Sequence, residues 1–181
     1  IPIFEYISKS KKRKFLVSGS QGIGKSTLVC ILKKNFKNFY NKKILCLSLD
    51  DYYLKKKQRV NLSKKKHPLL LTRGVPGTHD IKKLTKDIDS FEKSKYPINI
   101  PIFNKLTDDR LKRTQKINSH NDILILEGWC CGCPSISKNF LHKNINKLEK
   151  EGDIRKIWRN YFNRELKNDY YQLFAKFDKL I

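Results

Sequence analysis

Apolar residues along this chain fall into runs of two kinds. Lys14-Phe15-Leu16-Val17-Ser18 is a short apolar run that stops at Gly19. Lys42 to Leu49 and Asp122 to Glu127 are longer and nearly unbroken, the pattern of strands buried on both faces. Between the first two, Lys25 to Asn38 places Leu28, Val29, Ile31, Leu32 and Phe36 at helical spacing. Strand, helix, strand at this distance is a βαβ unit, which predicts a mainly parallel sheet. Asp50 to Asp80 reads as loop-rich, punctuated by Pro68, Gly74, Pro76 and Gly77. A helix is predicted over Ile81 to Phe91, capped from the Thr78/Asp80 region. Ile98 to Phe103 alternates around two prolines, as an edge strand or hairpin arm does. Ile154 to Phe177 has the pattern of one long amphipathic helix, with Ile157, Tyr161, Leu166 and Tyr170 among its apolar positions. With no repeat and no linker, residues 1–181 read as one domain, a three-layer α/β sandwich. The chain opens on Ile1-Pro2 without a Met and closes on Asp178 to Ile181, which reads as the start of a strand. Further sequence is therefore expected after Ile181.

Charge changes the picture little. Forty Lys and Arg against 17 Asp and Glu leave a net +23, which invites a nucleic-acid partner. Most of the cations are lysines scattered beside abundant Asn and Ile, as A/T-rich coding favours, not arginines clustered with aromatics. Lys9 to Lys14 and Lys55 to Lys66 are read as solvated faces and loops, and nucleic acid is not the favoured partner. No run approaches the ~18 apolar residues that span a bilayer. Five cysteines without framework spacing fit a reducing compartment, so a cytoplasmic location is expected. Cys130 and Cys133 form a C-x-x-C, but no second pair or histidine spacing completes a zinc site, and the cysteines are read as small buried apolar residues.

The chemistry is concentrated in Gly19-Ser20-Gln21-Gly22-Ile23-Gly24-Lys25-Ser26, which satisfies G-x-x-x-x-G-K-[ST] between a strand and a helix. Glycines let backbone N–H groups converge on phosphate oxygens, and the helix start aims its positive end at the same anion. Gly19 to Thr27 are therefore assigned to ATP, with Lys25 reaching the β- and γ-phosphates and Ser26 ligating Mg2+. Glu127, at the end of the third strand, is the expected second magnesium-side group. Asp50 and Asp51 follow the second strand, so the three motifs should meet at the carboxyl edge of the sheet. There Asp50 can accept the proton of an attacking hydroxyl.

Three segments resemble one family. Ser48-Leu49-Asp50-Asp51-Tyr52-Tyr53-Leu54, then Arg73-Gly74-Val75-Pro76-Gly77-Thr78-His79-Asp80 after His67-Pro68, and Leu126-Glu127-Gly128-Trp129 are similar to segments of the D-glycerate 3-kinases. These belong to the P-loop kinase group of uridine kinase, phosphoribulokinase and pantothenate kinase. The resemblance implies a P-loop kinase fold and transfer of the γ-phosphoryl group to a small hydroxy acid, with Asp50 as general base. It implies that Arg73, His79 and Asp80 shape the acceptor pocket beside Asp51 and Tyr53. Lys105 and Arg110 would lie near the transferring phosphate, Arg110 as a catalytic cation. A basic lid is expected after Ile181. Other acceptors (a nucleoside, pantothenate or another polyol), a nucleic-acid-binding P-loop ATPase and a non-catalytic ATP-binding regulator remain as alternatives. The oligomeric state is open.

Overall fold

The computed structural model describes residues 2–181. Helix α1 (Pro2–Lys9) precedes strand β1 (Lys14–Ser18), helix α2 (Lys25–Tyr40) and strand β2 (Ile44–Ser48). Helices α3 (Lys56–Lys65) and α4 (Ile81–Glu92) follow, then the short strands β3 (Ile98–Ile100), β4 (Phe103–Asn104), β5 (Asp109–Arg110) and β6 (Gln115–Ile117). Strand β7 (Ile123–Gly128), helices α5 (Lys138–Leu141), α6 (Ile157–Glu165) and α7 (Tyr171–Phe174), and strand β8 (Lys179–Leu180) complete the order.

The main sheet runs β2-β7-β1-β8, and all its pairs are parallel. Strands β1, β2 and β7 are largely buried on both faces, so alternate side chains feed two cores, whereas β8 at the edge is exposed. Phe15, Val17, Ile123 and Ile125 pack with Ile7 and with Val29, Leu32 and Phe36 of α2. Leu16, Leu124 and Leu126 point the other way, onto α4 and the segment Leu166 to Leu173. That makes three layers, with α1 and α2 on one side and α4, α6 and α7 on the other. Each such core side chain contributes about 1.5–3 kcal/mol when fully buried. β3 pairs antiparallel with β6, and β4 with β5, as hairpin arms off the main sheet. The strand expected at the end of the chain forms as β8 and joins the sheet beside β1.

Four local expectations are corrected. The loop-rich stretch contains the ten-residue helix α3. Arg59, on the lysine-rich segment read as solvated, is fully buried. Its guanidinium can leave water because its donors reach the carbonyls of Leu54, Leu71 and Asp108 and the Asp108 carboxylate. The long C-terminal helix begins at Ile157 and changes pitch through a π-helical turn at Leu166–Tyr170. Cys30 is exposed, not buried, whereas Cys130 and Cys131 are buried, and all five cysteines are free. Among the described residues, no helix is long and apolar enough to cross a membrane.

Candidate active site

Register decides what meets at the carboxyl edge of the sheet. β1 and β7 align Ser18 with Gly128, while β2 and β7 align Ser48 with Glu127. The loops leaving all three strands therefore open on the same side, as open parallel sheets require of a ligand site. The Ser18–Lys25 turn takes positive φ at Gly22 (80°) and Gly24 (93°), which side chains with a Cβ seldom adopt. Nothing lies within 4 Å of where a Cβ would stand at either glycine, so the turn is an open cradle. Gly24 is the N-cap of α2 and supplies no side-chain acceptor. The first N–H groups of a sixteen-residue helix thus await an anion, a fit for phosphate oxygens. Lys25 Nζ rests 2.8 Å from each of the Gly19 and Ser20 carbonyl oxygens, within the cradle.

Glu127 is mostly buried, and its Oε1 accepts hydrogen bonds from Ser48 Oγ at 2.7 Å and Ser26 Oγ at 3.1 Å. Among the described residues, no cation pairs with it, although an unpaired buried carboxylate is costly. Hard oxygens around an uncompensated carboxylate fit magnesium. No three His, Cys, Asp or Glu gather at ligand spacing among the described residues.

Asp50 and Asp51 lie on a 3-10 turn, Leu49–Tyr52, directly after β2. Asp50 Oδ2 is 2.8 Å from Lys105 Nζ, whose side chain is largely exposed on the β4–β5 hairpin. Asp51 Oδ1 accepts from the Phe103 N–H at 3.1 Å, and burial raises its carboxyl pKa despite that bond and despite Lys105. Arg110 donates to the carbonyls of Tyr53 (2.6 Å) and Tyr52 (2.9 Å) and to Asp80 Oδ2 (3.1 Å), so it pegs the Asp50 loop in place. Asp80 is also the N-cap of α4, accepting from Lys83 N. Arg73 pairs with Asp108 and lies over the Phe103 ring at 5.4 Å. His79 is buried and stacks on Tyr53 with ring centroids 4.3 Å apart. Burial lowers its pKa to about 3, so the ring is neutral, while the Tyr53 phenol is raised by burial and by Asp50.

Beside the cradle runs a cleft of about 590 Å³. Ser20, Gln21 and Arg73 form its polar rim, and Leu69, Val75, Leu148, Trp129 and Trp158 wall it. Trp129 Nε1 donates to the Gly74 carbonyl at 3.2 Å, but Trp158 Nε1 is buried without a partner among the described residues. Ser48, Asp108, Trp158 and Tyr170 were not expected at the site. The position of Ser48 at a strand end was the one sequence signal available. The other three are brought in by long-range packing.

No family model matches the chain. It is 32% identical over 197 residues to the uncharacterized kinase mug58 of Schizosaccharomyces pombe, an overlap covering 99% of this chain and 69% of that protein. It is 35% identical over 128 residues to the probable ATP-dependent kinase TDA10 of Saccharomyces cerevisiae, covering 64% of this chain but only 44% of the relative. The solved D-glycerate 3-kinase of Cryptococcus neoformans var. grubii superposes with a TM-score of 0.74 at 26% identity, over 97% of this chain and 67% of that one.

Proposed function

The chain belongs to the D-glycerate 3-kinase family of P-loop kinases, and on that footing we propose that it transfers the γ-phosphoryl group of ATP to a hydroxyl of a small hydroxy acid, D-glycerate first. The observation that carries this reading is the meeting of the Gly19–Lys25 cradle, the Ser26–Glu127–Ser48 oxygens and Asp50 on one sheet edge. The cradle and Lys25 hold the phosphates. Ser26 and Glu127 would hold magnesium, which would supply positive charge to offset the negative charge that develops in phosphoryl transfer. Asp50 takes the acceptor's proton. Lys105 Nζ, 2.8 Å from Asp50 Oδ2, holds that carboxylate at the mouth of the site. Arg110 and Asp80 fix the loop that presents Asp50, and Arg73 supplies a fork for an acceptor carboxylate.

A second reading concerns the acceptor alone. Two tryptophans and three aliphatic side chains wall the cleft at the P-loop, and glycerate has no apolar body to put there. That favours a larger hydroxy acid with an apolar part, such as pantothenate.

The test is ADP release by the full-length protein with Mg-ATP and D-glycerate, L-glycerate, pantothenate, uridine or single-stranded RNA. D-glycerate turnover that falls by about 10²–10⁴-fold in Asp50→Asn, with ATP binding retained, supports the first reading. Pantothenate turnover sensitive to Trp158→Ala supports the second. Stimulation by RNA with no small acceptor refutes both.

A further inference from the structure

Tyr170 stands at the end of the π-helical turn, fully buried and distant in sequence from every motif residue. Its hydroxyl oxygen accepts from the Gly77 N–H at 3.0 Å and lies 2.5 Å from His79 Nδ1. A peptide N–H can only donate, so the phenolic proton is free to be donated to Nδ1. The imidazole then carries its own hydrogen on Nε2, which is buried with no partner among the described residues. The two strands of backbone behind this contact are stitched together. Tyr53 and His79 form an antiparallel bridge, Leu54 N donates to Thr78 O at 2.8 Å, and Asp80 N donates to Tyr52 O at 2.7 Å. On the side-chain level His79 stacks on Tyr53 with 23° between ring planes, and the Tyr53 N–H donates to the Asp50 carbonyl at 3.4 Å, closing the turn that carries Asp50. The charged and titratable groups acting on the histidine and its two ring neighbours are Asp50, Arg110, Arg73, Cys130, Tyr161 and Glu165.

We propose that Tyr170 is a positioning residue: by donating to His79 Nδ1 it holds the imidazole in the Nε2–H form, and through the His79–Tyr53 stack it steadies the turn that presents Asp50. The hydroxyl has a reason to be there beyond filling the core, since a phenylalanine would fill nearly the same volume. Its two bonds grip the Gly77–His79 loop from the C-terminal helical segment, and Tyr161 Oη adds a third at the Gly77 carbonyl, 3.3 Å away. The helical layer on one side of the sheet thereby reaches the catalytic edge through three side chains, Tyr170, His79 and Tyr53, and the backbone turn from Tyr53 to Asp50. The kinetic part of this inference rests on the kinase reading, whereas the tautomer does not.

The experiment is ¹⁵N NMR of the histidine-labelled full-length protein, with and without Tyr170→Phe, alongside initial-rate kinetics. The native protein is expected to show His79 with a bare, hydrogen-bond-accepting Nδ1 and a protonated Nε2, unchanged from neutral pH down to about pH 5, below the ordinary histidine range. Tyr170→Phe is expected to change that tautomer signature and to lower kcat by about 10- to 100-fold at unchanged KM for ATP. A purely structural role would lower the melting temperature and leave both readouts in place, which overturns the proposal. So does a native His79 protonated on Nδ1 or titrating in the ordinary range, a result that needs no variant and decides the matter should Tyr170→Phe fail to fold. If no acceptor is turned over, the kinase reading fails on its own. The ¹³C carboxylate signal of Asp50, shifted or unshifted by Tyr170→Phe, then reports on that turn in place of kcat.

Discussion

Replacing Asp153 by alanine should cost more stability than any surface change, and the structure sets the size of the loss. Asp153 and Arg159 are each 1% exposed. Asp153 Oδ2 accepts from Arg159 N (3.1 Å) and Nε (3.0 Å), and Oδ1 accepts from Trp158 N at 2.9 Å. The rest of the guanidinium reaches Asn144 Oδ1 at 2.9 Å and the Glu149 carbonyl at 2.6 Å. Asp153→Ala strands that cation in the core with only the Glu149 carboxylate near it, at 3.6 Å. Removing one partner of a buried pair costs about 3–5 kcal/mol. Losing the acceptor for the two N–H groups at the start of α6 adds about 1 kcal/mol. Glu149 offsets part of the first figure, so the net expectation is about 3–5 kcal/mol, a large share of the roughly 5–15 kcal/mol that holds a domain together. Urea unfolding should show the midpoint falling at constant slope. Because the cost lies in the orphaned charge, Asp153→Ala combined with Arg159→Met should recover most of it. A single-variant loss under about 1 kcal/mol, or a double variant equal to the sum of the singles, would refute the reasoning.

His79 has a folded pKa of about 3 against an ordinary value of 6.5, so between these values the unfolded chain holds a proton that the native protein lacks. Stability should fall as pH drops from about 6.5, by up to about 1.4 kcal/mol per pH unit from this group, and His79→Gln should remove that share of the slope in urea titrations run at several pH values. Gly77→Ala should destabilise by about 2–5 kcal/mol, since φ is +92° and the added Cβ would fall 2.9 Å from Glu165 Cγ and against the Tyr161 ring. A melting temperature within a degree or so of the parent would rule that out. On the proposed reading EDTA should abolish turnover while leaving the urea midpoint unmoved, because Ser26 and Glu127 would hold the ion together with the nucleotide and no protein-only metal cluster exists among the described residues. A chelator that also shifts the midpoint would point to a structural metal.

The sequence by itself determined the elements whose cause is local. Short continuous apolar runs that end at turn residues have the pattern of strands covered on both faces, so β1, β2 and β7 stood out, and glycines before Lys25-Ser26 mark a phosphate cradle where strand and helix flank them. Asp80 as the cap of α4 was equally visible, since capping is settled within a few residues. Tertiary structure decided everything that depends on distant partners. Arg59 looked like one more solvated cation, and is buried only because carbonyls from three separate segments converge on it. Asp153 with Arg159, Ser48 with Glu127, and Tyr170 with His79 are pairs of the same kind. Each member is an unremarkable polar residue until packing removes water and leaves the other as its hydrogen-bond partner, and a linear pattern records local periodicity but not which polar groups packing will strand together.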